Sequence, residues 1–221
     1  MTAIPHSDVL IVGAGISGIS SAFHLQKYAP KASFEILERG KKIGGTWNLF
    51  KYPGIRSDSD MYTLGFSFRP WRNAKAIADA PAIMNYLQDA VDDGALNDKI
   101  HFDKRVVEAK WSTPDGKWFV TVQDGVTGET ETRTCKFLHS CAGYYNYDKG
   151  YQPDFPGAEN FKGPMIHPQF WPEDLDYSDK KVVVIGSGAT AVTLVPSMAK
   201  TAKHVTMLQR SPTYIVARPS E

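Results

Sequence analysis

Apolar residues in this chain fall into runs and stripes whose period changes at glycines and prolines. Asp8-Val9-Leu10-Ile11-Val12 is a short, continuous apolar run of the kind a parallel strand buried on both faces requires. It passes directly into Gly13-Ala14-Gly15-Ile16-Ser17-Gly18. Ile19, Phe23 and Leu25 then share roughly one helical face until Pro30, and Phe34–Glu38 reads as the next strand. From Gly40 to Trp71 the chain is rich in glycine, proline and aromatic residues and has little periodicity, and loops of that length are uncommon unless they are functional. Pro81, at a first helical position, opens a helix carrying Ile83, Met84, Leu87 and Val91, and Gly94 closes it.

Three strand-like runs follow, Lys104–Trp111, Lys117–Gln123 and Thr130–Leu138. Pro114-Asp115-Gly116 and the Asp124–Gly128 stretch join them, turn chemistry that predicts an antiparallel meander. Phe137–Gly143 reads as a return strand ending in small residues, and Tyr144–Tyr177, with its prolines, as a linker. The opening pattern then recurs: Lys181–Ile185, Gly186-Ser187-Gly188-Ala189-Thr190-Ala191, an apolar helix through Met198, and a strand His204–Arg210. The expected fold is α/β: a Rossmann-type dinucleotide-binding domain with an antiparallel β-meander over 1–150, a linker over 151–178, and the start of a second Rossmann domain over 179–221. One β-α-β unit cannot cover both faces of a parallel sheet, so the second domain is expected to be incomplete as written.

Composition narrows the function classes. The chain has 221 residues, 42% hydrophobic and 22% charged, and a net charge of +1. Balanced charge supplies no basic field for nucleic acid, which is therefore a poor partner. Val9–Gln26 and Val182–Ala199 carry no charge, but glycines and hydroxyl residues break both and Pro196 interrupts the second, so neither is read as a membrane span. The N-terminus lacks the basic cluster of a secretory signal. The only two cysteines, Cys135 and Cys141, form no disulfide framework and suggest a reducing, cytoplasmic setting. Their spacing does not fit a redox pair, so both read as packed small residues. The six histidines lack metal-ligand spacing, and no metal is expected.

The two glycine turns carry the chemistry. In G-x-G-x-x-G the first glycine permits a tight turn, the second lets a pyrophosphate approach the backbone, and the third lets helix and strand pack closely. The phosphates meet a helix N-terminus, whose N–H groups and dipole favour negative charge. Glu38 lies about 20 residues after Gly18, where a carboxylate binds a ribose 2′-hydroxyl. At the equivalent place after Ala191 stands Arg210, followed by Ser211. A guanidinium holds a 2′-phosphate that a carboxylate would repel. The first turn therefore suits FAD and the second NADPH, an arrangement for passing hydride from one cofactor to the other.

Gly44-Gly45-Thr46-Trp47, Tyr52-Pro53-Gly54-Ile55-Arg56-Ser57-Asp58 and Phe161-x-Gly163-x-x-x-His167-x-x-x-Trp171-Pro172 resemble, in order and spacing, the flavin loops and fingerprint of the type I Baeyer–Villiger and flavin-containing monooxygenases. The resemblance covers essentially the whole chain. It implies a cycle in which NADPH reduces FAD, O₂ adds at flavin C4a, and the peroxyflavin oxygenates a small ketone to an ester or oxidises the sulfur or nitrogen of a thioether or thioamide. It also implies that Gly13, Gly15, Ser17, Gly18, Glu38, Gly45, Thr46, Trp47, Asp58, Tyr62 and Val106 serve FAD. By the same resemblance Arg56, Ser57, Gly186, Ser187, Gly188, Ala189, Thr190, Ala191, Arg210 and Ser211 serve NADP. Trp47 would wall the isoalloxazine or be a core tryptophan. Asp58 would orient a cation near the flavin, as the catalytic candidate, or cap its loop beside Arg56. His167 and Trp171, with Phe161 and Gly163, would order the interface between domains. The family's catalytic arginine would fall after Glu221, so the alternatives for this polypeptide are a cofactor-binding fragment without turnover or an NADPH oxidase releasing peroxide.

Overall fold

A computed structural model describes residues 4–216. The opening β-α-β unit consists of β1 (His6–Val12), α1 (Ile16–Tyr28) and β2 (Phe34–Leu37). After α2 (Thr46–Leu49), α3 (Met61–Leu64) and α4 (Ala80–Asp93), the two-residue β3 (Ile100–His101) pairs in parallel with β2. Then come β4 (Lys104–Ser112), β5 (Lys117–Asp124) and β6 (Thr130–Ser140), which complete a sheet of order β3-β2-β1-β6-β5-β4. Its first four strands are parallel and its last two pairings antiparallel. Further on, β7 (Lys181–Ile185), α5 (Ala189–Met198) and β8 (His204–Leu208) form a second β-α-β unit around a two-stranded parallel sheet.

By its internal contacts the chain divides into two compact units. One comprises the chain up to Asn48 together with Met84–Tyr144; the other comprises Leu49–Ile83 together with the chain from Tyr145 onward. The aromatic, glycine-rich tract after Asn48 thus contacts the unit that holds β7-α5-β8, although it precedes the meander in sequence.

The core of the first unit is Leu10, Leu37, Val120, Val122 and Cys135, with Val12, Val106, Ala109, Trp118 and Leu138 packed against it. Each large aliphatic side chain there contributes about 1.5–3 kcal/mol through burial. Glu35 of β2 is a carboxylate residue only 9% exposed. It pairs with Arg133 of β6, lies 3.5 Å from His101 Nε2, and accepts the Ser7 hydroxyl at 3.1 Å. Arg133 also grips Glu131 through Nε and Nη2, so the guanidinium bridges two carboxylates. A charge so far out of water is tolerated only when paired in this way.

In the second unit Phe50, Tyr52, Leu194 and Met198 form the buried cluster, and Trp171, Tyr177, Val182, Val184 and Val205 pack around it. Residues of β7 and β8 alternate: Val182, Val184 and Val205 turn to this cluster, while Val183, Ile185 and Leu208 are exposed on the opposite face.

Three readings of the sequence require correction. The meander strand and the return strand are one continuous element, β6, because no turn residue separates Lys136 from Ser140; its first half pairs with β5 and its length from Thr134 pairs with β1. In the second unit β8, expected to run to Arg210, ends at Leu208, so Arg210 and Ser211 lie on the loop beyond the strand. The tract from Gly40 to Trp71 is not wholly irregular, since α2 and α3 are single helical turns, the second capped by the Asp60 carboxylate accepting from Thr63 N at 2.9 Å. Pro196 sits inside α5 near its end, where the missing N–H removes only one bond from the last turn.

Candidate functional site

The first glycine turn is assembled from three segments of one unit. Gly13 adopts φ +103°, a backbone that L side chains avoid, and a Cβ there would lie 2.6 Å from the Cys141 carbonyl oxygen at the end of β6. Gly18 is forced by packing: a Cβ would stand 1.9 Å from the Gly13 oxygen, where α1 crosses the end of β1. Gly15 is different. Its φ is −80°, and a Cβ would meet only the Gly45 Cα, at an ordinary 3.6 Å. Among the described residues no contact demands glycine there. Gly15 is also the N-cap of α1 without a side-chain cap, and no acid stands in the first turn, so these helix N–H groups are left for an outside acceptor.

Glu38 is 5% exposed and clamped over the same turn. Its Oε2 accepts Ala14 N–H at 2.8 Å and its Oε1 accepts Gly40 N–H at 2.7 Å. Its own backbone N–H donates to the His101 oxygen, and its carbonyl accepts from Lys104. A carboxylate accepts about four hydrogen bonds, so two acceptor sites remain for a ligand hydroxyl. The Gly44–Trp47 loop joins this constellation through Gly44 N–H donating to the Ala14 oxygen at 3.0 Å. Gly44 and Gly45 both have positive φ, and the Met84 thioether fills the space where a Gly44 Cβ would be. Thr46 and Trp47 are half-buried, Ser17 is exposed in the first turn of α1, and Val106 faces the core beside a bulge in β4.

The second glycine turn is more open. Gly186 has φ +117° and Gly188 caps α5 at φ −75°, with nothing within 4 Å of a Cβ on either. Ala191 stands at the third position without conflict and is buried. As in α1, the helix start has neither a side-chain cap nor an acid. Arg210 is exposed. The loop that carries it returns to the turn: Ser187 Oγ donates to the Ser211 oxygen at 3.4 Å, and the Thr213 hydroxyl donates to Ser187 Oγ at 2.8 Å.

Arg56, Ser57, Asp58 and Tyr62 belong to the same unit as this second turn. Arg56 and Asp58 are exposed. Ser57 is 3% exposed and its hydroxyl donates to the Ser59 oxygen at 2.7 Å, so its side chain shapes the loop rather than reaching outward. The Tyr62 hydroxyl donates to the Asn73 oxygen. Tyr52, 8% exposed, has its phenol pushed up by burial; a hydrogen bond with the Thr190 side chain opposes this and the Asp58 charge adds to it. Within the fingerprint, Trp171 meets Tyr177 edge-on at 6.2 Å against the cluster. His167 caps a 3-10 turn by accepting Gln169 N–H at its Nδ1, 3.2 Å, with its ring against Gly150. Phe161 is exposed and lies over Gly163. The Tyr52–Thr190 contact and the part played by Thr213 were not read from the sequence; Tyr52 lay in a motif already singled out, whereas nothing local marked Thr213.

Among the described residues no cluster of three or more His, Cys, Asp or Glu could hold a metal, and no helix is long and apolar enough to cross a membrane. Burial pushes the Cys135 thiol up to about 11 and raises that of Cys141, so neither is poised as a thiolate.

In this α/β protein two helix starts without side-chain caps follow glycine turns, with a clamped acid at the first and an exposed arginine on the loop that returns to the second. Residues 6–221 match the profile described as "Flavin-binding monooxygenase-like", and the chain belongs to that family. It is 60% identical to the FAD-containing monooxygenase EthA of Mycolicibacterium smegmatis over 97% of this chain and 43% of that protein. It is 56% identical to the putative FAD-containing monooxygenase MymA of Mycobacterium tuberculosis, over 97% of this chain and 44% of that one. Among solved structures, a complex of OTEMO with FAD and NADP matches 95% of this chain and 40% of its own at TM-score 0.80 and 33% identity. Cyclohexanone monooxygenase from Rhodococcus sp. Phi1 bound to NADP+ matches 97% and 40% at TM-score 0.80 and 28% identity. The chain thus spans less than half the length of the relatives it matches.

Proposed function

We propose that this chain supplies the FAD site and part of the NADPH site of a cytoplasmic monooxygenase that oxygenates a small ketone or oxidises sulfur or nitrogen of a small organic substrate. The observation that carries the reading is the contrast between the two turns: Glu38 is held at the first by Ala14 and Gly40 N–H groups, and Arg210 follows the strand leading back to the second. Bound FAD and NADPH supply hydride transfer and oxygen activation.

The residues of this chain bind and orient. Gly15 and the open N–H groups at the start of α1 take the FAD pyrophosphate, and Glu38 takes the ribose hydroxyls with its remaining acceptor sites. Gly45, Thr46 and Trp47 would wall the isoalloxazine. Gly186–Ala191 take the nicotinamide dinucleotide pyrophosphate, while Arg210 and Ser211 select its 2′-phosphate. Arg56 stands ready for the same anion. His167 and Trp171 order the linker. The domain boundaries that go with this reading are 1–150 for FAD, 151–178 for the linker and 179–221 for NADP.

The test is direct. Purified with FAD, the chain should retain flavin with its visible absorption at about 450 nm; a colourless protein at saturating FAD ends the reading. If flavin binds, NADPH consumption matched one-to-one by oxygenated ketone or thioether indicates turnover by this chain, whereas stoichiometric peroxide indicates an oxidase.

A further inference from the structure

The chain leaving β8 is stapled to the second glycine turn by three hydrogen bonds, all inside one unit. Gly186 N–H donates to the Leu208 oxygen at 2.8 Å, where Ile185 and Leu208 are paired in register. At the next residue of the turn, the Ser187 hydroxyl donates to the Ser211 oxygen at 3.4 Å and accepts from the Thr213 hydroxyl at 2.8 Å. One hydroxyl thus holds the chain on both sides of Pro212, whose ring fixes its own φ. Gln209 and Arg210 span the gap between the anchored carbonyls of Leu208 and Ser211. The backbone that carries Arg210 is therefore placed from both ends.

These contacts do little for the fold. Residues 209–216 are exposed throughout, and a hydrogen bond between exposed hydroxyls competes with water. What the staple fixes is the placement of Arg210 relative to the Gly186–Ala191 turn. A phosphorylated nicotinamide dinucleotide presents two anions, its pyrophosphate and its 2′-phosphate. The start of α5, which has no side-chain cap, suits the first and the Arg210 guanidinium the second, and Ser187 ties one to the other.

We propose that Thr213 is a positioning residue for nucleotide selectivity: anchored on Ser187, it holds Arg210 ready for a 2′-phosphate. The inference rests on reading the Gly186–Ala191 turn as the NADP site. Hydroxyls in series strengthen one another, so the Thr213 donor also firms the long Ser187–Ser211 bond. Without it, Arg210 and Ser211 must be ordered when the ligand arrives, and only a ligand that uses the arginine loses affinity.

Calorimetric titration of the chain with NADP+ and with NAD+ tests this, comparing wild type, Thr213→Val and Thr213→Ser. Valine keeps the shape and removes the donor, whereas serine keeps the hydroxyl. Thr213→Val should weaken NADP+ binding by about three- to tenfold, the contribution of one hydrogen bond, and leave NAD+ within about twofold of wild type. Thr213→Ser should restore the wild-type ratio of the two affinities, and urea midpoints should not change. In an Arg210→Ala background Thr213→Val should cost NADP+ nothing further, because Thr213 acts through the arginine. An unchanged NADP+/NAD+ ratio in Thr213→Val overturns the proposal, as does an additional loss in the Arg210→Ala background. Equal losses for both nucleotides, with or without a lower urea midpoint, show a merely structural threonine and overturn it too. A wild-type chain that binds neither nucleotide removes the proposal together with the reading of that turn.

Discussion

Replacing Gly15 and Gly18 by alanine, one at a time, separates what the first glycine turn does for packing from what it does for a ligand. A methyl on Gly18 would lie 1.9 Å from the Gly13 oxygen and 3.0 Å from its carbonyl carbon, both backbone atoms that cannot rotate away. Helix α1 would have to lift off β1 by more than an ångström, and overpacking of this kind costs about 1–3 kcal/mol. Gly18→Ala should therefore unfold at lower denaturant by that amount. A methyl on Gly15 meets only Gly45 Cα at 3.6 Å, and its φ of −80° suits alanine. The exchange of an N-cap glycine for alanine costs about 1 kcal/mol or less. Gly15→Ala should thus fold nearly as well as the wild type while the methyl blocks the approach of a pyrophosphate. An affinity loss of about 10- to 100-fold is expected, equivalent to about 1.4–2.8 kcal/mol. Urea unfolding followed by tryptophan fluorescence measures the first quantity, and titration of flavin fluorescence quenching measures the second. Wild-type FAD affinity in Gly15→Ala, or wild-type stability in Gly18→Ala, refutes the division of labour argued for these two glycines.

Other expectations follow from single contacts. Arg210→Ala should weaken NADP+ binding by about 10- to 100-fold and leave NAD+ binding nearly unchanged, because a hydrogen bond to a charged group contributes about 1.5–3 kcal/mol; equal losses for both nucleotides in calorimetric titrations would place the arginine elsewhere. Arg133→Leu should destabilise the first unit by about 3–5 kcal/mol by stranding the Glu35 carboxylate, and Glu35→Leu/Arg133→Leu should recover most of that in denaturant unfolding; a double variant no better than the single one would contradict the pairing. The Lys104 ammonium, with Thr127 and Val126 N–H groups, holds the Asp124 carboxyl well below the usual carboxylate range. A depressed folded value means stability that is present above about pH 4 and lost as the pH falls through that lower value. Lys104→Met should therefore flatten the decline in stability below about pH 4, measured as urea midpoints from pH 2 to 6; parallel curves for the two proteins would count against it.

Much of the site was legible because glycine turns announce themselves by composition and order. The strand, turn and helix around Gly13–Gly18 and Gly186–Ala191 follow from local period alone, and Glu38 follows from its distance along the chain. What could not be read is nonlocal. Whether the third position of each motif must be glycine depends on how closely helix and strand cross: Gly18 touches Gly13, whereas Ala191 has room. The inward turn of the Ser57 hydroxyl depends on a loop partner that no periodicity encodes. The two-residue β3 is too short to carry an alternation, yet its His101 carbonyl holds the backbone of Glu38. The attachment of the Phe50–Asp58 loop to α5 joins segments far apart in sequence, and only the suitability of Tyr52 and Gly54 for close contact hinted at it.

Because β6 is shared between β5 on one side and β1 on the other, its alignment is set twice. A slip of one residue would turn every side chain to the wrong face, and here it would have to break two ladders at once. It would also carry the Cys141 carbonyl away from Gly13, the atom that shapes the first turn. An insertion or deletion between Thr130 and Ser140 is thus transmitted mechanically to the Gly13–Gly18 turn at the strand's far end, whereas the Thr113–Gly116 and Gly125–Gly128 bends, which lie outside that shared strand, can change length without that penalty.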